Sequence, residues 1–255
     1  MKNNSSPILS VQNLSVTFPK KGSFFIKKQA SDQVLSDINL EVYQGKITAL
    51  VGESGSGKTT IGNTIVGLVG SFTGDFQFEG TAYNPLDMSH LRTEIQYIFQ
   101  DSLSALNPRM KAGQILNEIL LIHHSNENVD SILEQVDLQG EISGKYPHEL
   151  SGGQRQRVNI ARALAVNPQV LVCDEVVSAL DVSIQAKILN LITRLVRERN
   201  LAILFITHDL NVVKAFAESI IVLSKGVIVE KGNALQIMES PEHSYTKTLI
   251  AAMYS

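Results

Sequence analysis

The sequence predicts an α/β fold in which a parallel-sheet core carries an antiparallel β lobe and an inserted α-helical lobe. Three observations predict it. First, KITALV (46–51) is a continuous apolar run followed at once by the glycine-rich GESGSGKT and a helix-like TTIGNTIVGLV. Such a run marks a strand covered on both faces. Second, VLVCD (170–174) and LAILFIT (201–207) flank the amphipathic DVSIQAKILNLITRLVRERN, the βαβ rhythm of a parallel sheet. Third, residues 112–166 carry apolar side chains at helical spacing.

Each element follows from its local pattern. Residues 8–18 and 34–43 alternate apolar and polar, as half-buried antiparallel strands do, and PKKGSFFIKKQASDQ between them reads as a loop. The segment 74–83 alternates again, and IQYIFQ (95–100) is a strand ending in a polar residue. AGQILNEILLIHH, VDSILEQVDL and SGGQRQRVNIARALAV build the helical lobe. SIIVLSKGVIVEKG is a hairpin that closes the core.

Composition narrows the function. The 255 residues are 44% hydrophobic and 18% charged, enough for a packed core and unlike a disordered chain. A formal net charge of −3 leaves no basic footprint for nucleic acid, so no nucleic-acid partner is expected. The N-terminus lacks the apolar stretch of a secretory signal, which predicts the cytoplasm, and the longest apolar runs fall short of the ~20 residues that span a bilayer. The lone Cys173 sits in an apolar run and reads as a small buried hydrophobe.

GESGSGKT fits GxxxxGK[ST] between a buried strand and a helix, the context in which backbone N–H groups cradle phosphates. Gly52, Glu53, Ser54, Gly55, Ser56, Gly57, Lys58, Thr59 and Thr60 are the candidate nucleotide loop, with Lys58 reaching the β and γ phosphates and Thr59 ligating Mg²⁺. The competing reading is an ordinary glycine-rich turn. A phosphate loop needs a carboxylate at a neighbouring strand end, and Asp174 supplies it, with Glu175 beside it to polarise water. Taken alone, that pair would be the acidic start of a helix. His208 and Gln100 also terminate strands, where they are placed to meet a γ-phosphate, the metal or the water. Asp174, Thr59 and Gln100 are thus the candidate Mg²⁺ set.

LSGGQ (150–154) raises a separate question. Ser151 and Gln154 match a capping box, yet Gly152 and Gly153 in the first turn each cost about 1 kcal/mol relative to Ala. GESGSGKT, Gln100, LSGGQ, VLVCDE, SALD (178–181) and His208 together resemble, in order and spacing, an ATP-binding-cassette (ABC) ATPase subunit, a P-loop NTPase with a RecA-like core. The resemblance covers residues 8–240: 8–100 and 167–240 as nucleotide-binding core and β lobe, 101–166 as the helical lobe with the signature helix, and 241–255 as a C-terminal tail.

It implies ATP and Mg²⁺ as cofactors and Glu175, His208 and Gln100 as catalytic residues. It further implies that Ser151, Gly152, Gly153 and Gln154 meet the ATP of a partner cassette in a head-to-tail dimer, the glycines leaving room for phosphate. By the same resemblance, Ser178, Ala179, Leu180 and Asp181 are expected to form the dimer-interface loop. An aromatic is expected on adenine. Phe18, Phe24 and Phe25 are the candidates and Phe25 is preferred, the alternative being that all three only pack. Val176 stands where the family usually has proline, which predicts a loop of altered stiffness.

DSLSALNPRM (101–110) and the tail SPEHSYTKTLIAAM resemble the oligopeptide, dipeptide and nickel importer branch. The tail matches sPxHPYTxxL at Pro241, His243, Tyr245, Thr246 and Leu249, with Ser244 replacing proline. The absence of a cysteine-bearing tail and the wording EVVSALD lean toward nickel-type members. The expected partners are a second, different ATPase chain, two membrane permease subunits and an extracellular or periplasmic substrate-binding protein, with this chain peripheral on the cytoplasmic face of the membrane. The alternatives are a soluble ABC ATPase acting on DNA or ribosomes, an exporter ATPase and a nucleotide-binding regulator. His123 and His124 are adjacent, face apart on a helix and make no i, i+4 chelate.

Overall fold

The computed structural model describes residues 6–19 and 31–253. They fall into two compact units, one of residues up to 90 together with those from 202 onward, the other of residues 91–201.

The first unit opens with strand β1 (Leu9–Pro19), antiparallel to β2 (Ser31–Val42). Leu9, Val11, Leu14 and Val16 are fully buried, and the step of three between Val11 and Leu14 breaks strict alternation. A register shift lies there, where Asn13 takes φ 53 and its N–H donates to Asn39 Oδ1. A bulge therefore keeps both halves of the strand facing the core. The predicted loop is shorter than its sequence suggests, because Pro19 and Ser31–Gln33 belong to strands.

β3 (Ile47–Val51) is buried at all five positions. Helix α1 (Lys58–Ile65) follows and stops earlier than the apolar spacing through Val69 implies. Gly67 ends it at φ 75, where an added Cβ would stand 2.0 Å from the Pro85 carbonyl oxygen. The alternating 74–83 segment is two strands, β4 (Phe72–Phe78) and β5 (Thr81–Tyr83), because Glu79 and Gly80 turn the chain with φ 50 and 74. These strands complete a sheet of order β2-β1-β4-β5.

In the second unit, β6 (Ile95–Ile98) runs parallel to β7 (Val170–Asp174), Ile95 opposite Val170 and Ile98 opposite Cys173. Between them come α2 (Ala112–Ile122), α3 (Val129–Gln135), two short 3₁₀ turns and α4 (Gly152–Leu164). After β7 comes α5 (Val182–Arg199). His123 closes α2. Asp137, just beyond α3, accepts from Arg157 of α4 at 3.0 Å and Arg194 of α5 at 2.8 Å, tying these two helices at one carboxylate.

The chain then returns to the first unit. β8 (Ala202–Thr207) is parallel to β3, and β9 (Ser219–Ser224) flanks β3 on its other side, also parallel. β3 is therefore an interior strand, and since all five of its residues are buried both of its faces are covered, which accounts for its apolar run. Between these two strands lies α6 (Leu210–Phe216). β10 (Val227–Asn233) pairs antiparallel with β9 through Lys225–Gly226, whose φ values of 48 and 79 make a two-residue hairpin turn. α7 (Ala234–Glu239) and α8 (Ser244–Ala251) finish the chain. Ile250 of α8 belongs to the cluster that includes Val51, Leu210 and Val222, so the tail is packed into this unit.

Candidate functional site

The glycine-rich loop begins where β3 ends. Gly52 has φ 155, and a Cβ there would lie 2.1 Å from the main-chain oxygen of Leu223 on β9. Gly57, at φ 109, is the N-cap of α1 and, being glycine, supplies no side-chain cap to the helix start. A Cβ at Gly55 would meet nothing within 4 Å. Lys58 is buried, and its Nζ donates to the carbonyls of Gly52 and Glu53, both at 2.8 Å. Ser56 is 6% exposed with no hydrogen-bond partner for its Oγ. A buried cation, an unpartnered buried hydroxyl and a helix start form a cradle suited to phosphate oxygens. Glu53, Ser54 and Thr59 are exposed, and Thr60 is half-buried.

Because Val51 pairs with Thr207, Gly52 and His208 leave adjacent parallel strands at the same end. His208 is exposed, while Thr207 Oγ1 and Asp209 fix the chain around it by accepting from the N–H groups of Asp209 and Asn211.

The second unit repeats this arrangement with different chemistry. Ile98 pairs with Cys173, so Gln100 and Asp174–Glu175 emerge together. Gln100 Nε2 donates to Glu175 Oε2 at 2.9 Å, and Glu175 itself takes φ 45. Asp174 is 3% exposed and accepts from the Tyr97 hydroxyl at 2.7 Å. Burial, the Asp174 charge and this hydrogen bond raise the Tyr97 hydroxyl well above its ordinary value, so it remains a donor. Sequence reasoning missed Tyr97; the available signal was a tyrosine inside a buried strand, whose hydroxyl must find a partner. Burial and Asp174 push the Cys173 thiol up to about 12, which leaves it unreactive.

At the start of α4 the capping box forms: Ser151 Oγ accepts from Gln154 N–H at 3.3 Å, and Gln154 Oε1 accepts from Ser151 N–H at 3.0 Å. The two glycines have a reason within the chain. A Cβ at Gly153 would stand 2.5 Å from Ile184 Cγ2, and one at Gly152 would stand 3.2 Å from Leu180 Cδ2. Leu180 lies in the Ser178–Asp181 loop. There Ser178 donates from both N–H and Oγ to the Glu175 carbonyl, and Asp181 caps α5 by accepting from Ile184 N–H.

Two further residues escaped sequence reasoning. Asn159 Nδ2 donates to the Ser102 carbonyl at 3.0 Å and Arg162 Nη1 to the Ala105 carbonyl at 2.7 Å, so α4 grips the DSLSALNPRM segment by its backbone. Of the candidate adenine partners, Phe24 and Phe25 lie outside the described residues. Phe18 is on β1 and 38% exposed.

Residues 35–178 match the family pattern described as ABC transporter. The chain belongs to the ABC transporter family. It is 42% identical over 259 residues to the glutathione import ATP-binding protein GsiA of Pectobacterium atrosepticum, covering 98% of this chain and 42% of that protein. The corresponding Shigella flexneri protein is 40% identical with the same coverage. The chain thus spans about two fifths of the length of the curated relatives it matches. Among solved structures, the dimeric ABC transporter cassette MJ0796 is 28% identical with a TM-score of 0.73, covering 89% of this chain and 98% of that one. The same cassette in a post-hydrolysis state bound to ADP and Pi is 29% identical with a TM-score of 0.74 and the same coverage. The cbiO1 protein of Clostridium perfringens shares the fold at 24% identity, with a TM-score of 0.78 and 92% coverage of both chains. This ABC cassette therefore has the α/β architecture its sequence implies, and among its described residues no helix is long and apolar enough to cross a membrane.

Proposed function

We propose that this cassette binds and hydrolyses ATP to power an ABC importer of peptides or related small chelates, docked at the cytoplasmic face of a membrane. The observation that carries the reading is the loop Gly52–Thr59, where the buried Lys58 ammonium and the unpartnered Ser56 hydroxyl sit at the start of α1. Lys58 and the loop N–H groups hold the β and γ phosphates. Glu175 accepts a proton from the attacking water, and the Gln100 amide, already bonded to one carboxylate oxygen, orients it. His208 steadies the γ-phosphate.

Thr59, Gln100 and Asp174 offer only oxygen donors, a set that suits Mg²⁺. Bound Mg²⁺ would neutralise phosphate charge. Tyr97 holds the Asp174 carboxylate in place by its hydrogen bond.

Ser151, Gly152, Gly153 and Gln154 face the ATP of a second cassette, and the Ser178–Asp181 loop lies at that dimer interface. Closing the pair moves α4, and Asn159 and Arg162 carry that displacement into Ser102–Ala105, the segment that meets a membrane subunit. The relatives' printed function, glutathione import, supports a peptide-type cargo over nickel, with the cargo held by a separate binding protein and two permease subunits.

Isolation of the native complex followed by reconstitution in vesicles tests this. ATP-dependent uptake of glutathione or short peptides is expected, with nickel as the comparison cargo. Co-purification with nucleic acid in place of membrane subunits would overturn the assignment in favour of a soluble ABC ATPase.

A further inference from the structure

The C-terminal helix α8 touches the phosphate loop directly. The backbone N–H of Glu53 donates to the Tyr245 hydroxyl at 3.1 Å, across 192 residues of sequence. The helix that delivers this hydroxyl is fixed at both ends. At its start, the Glu230 carboxylate on β10 accepts from the N–H groups of Glu242 at 2.8 Å and His243 at 3.1 Å. His243 Nδ1 then caps the helix by accepting from Tyr245 N–H at 3.2 Å. Desolvation acts to raise the Glu230 carboxyl, yet the Glu242 N–H, the Thr246 side chain and His243 together outweigh it and hold the carboxyl below its ordinary 4.5. Further along, Ile250 lies in the cluster that contains Val51, the last residue of β3 before the loop, with Tyr245 and Leu249 packed against it. Helix and loop therefore rest on one core.

The bond lands at an informative place. The Glu53 carbonyl accepts from Lys58 Nζ at 2.8 Å and Ser56 N–H at 3.2 Å. When Lys58 turns toward a phosphate, Glu53 gives up one of these partners, whereas its N–H keeps Tyr245.

The geometry points to Tyr245 as a positioning residue for ATP binding: through its hydroxyl, α8 holds the phosphate loop in its binding shape while Lys58 exchanges partners. This rests on the reading of Gly52–Thr59 as the nucleotide loop. Preorganisation of this kind lowers the ordering cost of binding and acts on affinity, leaving the chemical step to Glu175 and its neighbours.

Tyr245→Phe removes the acceptor and keeps the ring. One neutral hydrogen bond of about 0.5–1.5 kcal/mol corresponds to an expected roughly twofold to twelvefold rise in the MgATP dissociation constant. The maximal ATPase rate is unchanged, and amide exchange accelerates in the peptide covering 52–58 but not in α2. Leu249→Ala loosens the same helix without touching the acceptor, so its melting temperature falls while its affinity stays within about twofold. Unchanged affinity and unchanged exchange at Glu53 in Tyr245→Phe would overturn the inference, as would an equal affinity loss in Leu249→Ala. Lys58→Ala, run in parallel, reports on the loop itself. If it binds MgATP like wild type, the nucleotide-loop reading fails, while Glu53 exchange still reads the Tyr245 bond.

Discussion

The glycine-rich loop Gly52–Thr59 of the first unit and the Gly152–Gly153 turn of the second are both glycine-bearing helix starts, but their glycines answer to different neighbours. At Gly52 the obstacle to a side chain is the main-chain oxygen of Leu223, and the backbone sits at φ 155. At Gly153 the obstacle is the branched methyl of Ile184, with the glycine inside an ordinary α-helix. A backbone obstacle cannot be trimmed by substitution, whereas a side-chain obstacle can. The first loop is a shape imposed by the sheet; the second is a packing contact within the helical unit, at a helix start closed by the Ser151–Gln154 capping box.

The largest effect separates ground-state binding in the first unit from chemistry in the second. Glu175→Gln removes the base yet keeps the Gln100 contact region intact. ATP turnover is expected to fall about 10²–10⁴-fold, with MgATP affinity retained, measured by phosphate release and equilibrium binding. Normal turnover would take Glu175 out of the role assigned to it.

Next comes Gly52→Ala, which drives a Cβ into the Leu223 carbonyl and is expected to cost about 3 kcal/mol of stability, together with MgATP binding. Chemical denaturation reads the first and a nucleotide titration the second. Leu223→Ala should give no rescue, since the opposing atom is main chain; rescue would erase the distinction between the two turns.

The smallest effect is at Gly153. Gly153→Ala in the wild-type background is expected to lower stability by about 1 kcal/mol through the Ile184 contact. In an Ile184→Ala background the same change should raise stability by up to about 1 kcal/mol, because alanine is the better helix former. A double-mutant cycle by urea denaturation checks the reversal. Loss of stability in both backgrounds would show that Ile184 is not the reason for the glycine.

The parts of the site legible in the sequence were those set by neighbours a few residues away. The capping box of Ser151 and Gln154 is a three-residue relation, and the strand–loop–helix around GESGSGKT is a contiguous pattern. Strand pairing then brought Gln100 to Glu175, as their shared position at strand ends implied. Other relations depend on the path of the chain. Tyr97 finds Asp174 only because β6 and β7 pair in one register, and Asn159 finds Ser102 because α4 packs back along the segment after β6. Local patterning also overran two boundaries. Apolar spacing continued past Ile65 although Gly67 ends the helix, and alternation through 74–83 hid the turn at Glu79–Gly80.

By itself the sequence determined the order of strands and helices, the glycine-rich strand–loop–helix and the acidic strand end, because periodicity, turn chemistry and capping act within one or two turns of chain. The tertiary structure decided which atoms hold those groups in place. Leu223 fills the space beneath Gly52, Ile184 the space beside Gly153, and Tyr245 supplies the acceptor for Glu53. These are contacts between segments far apart in sequence, and their distances exist only once buried strands have fixed the register that brings the segments together.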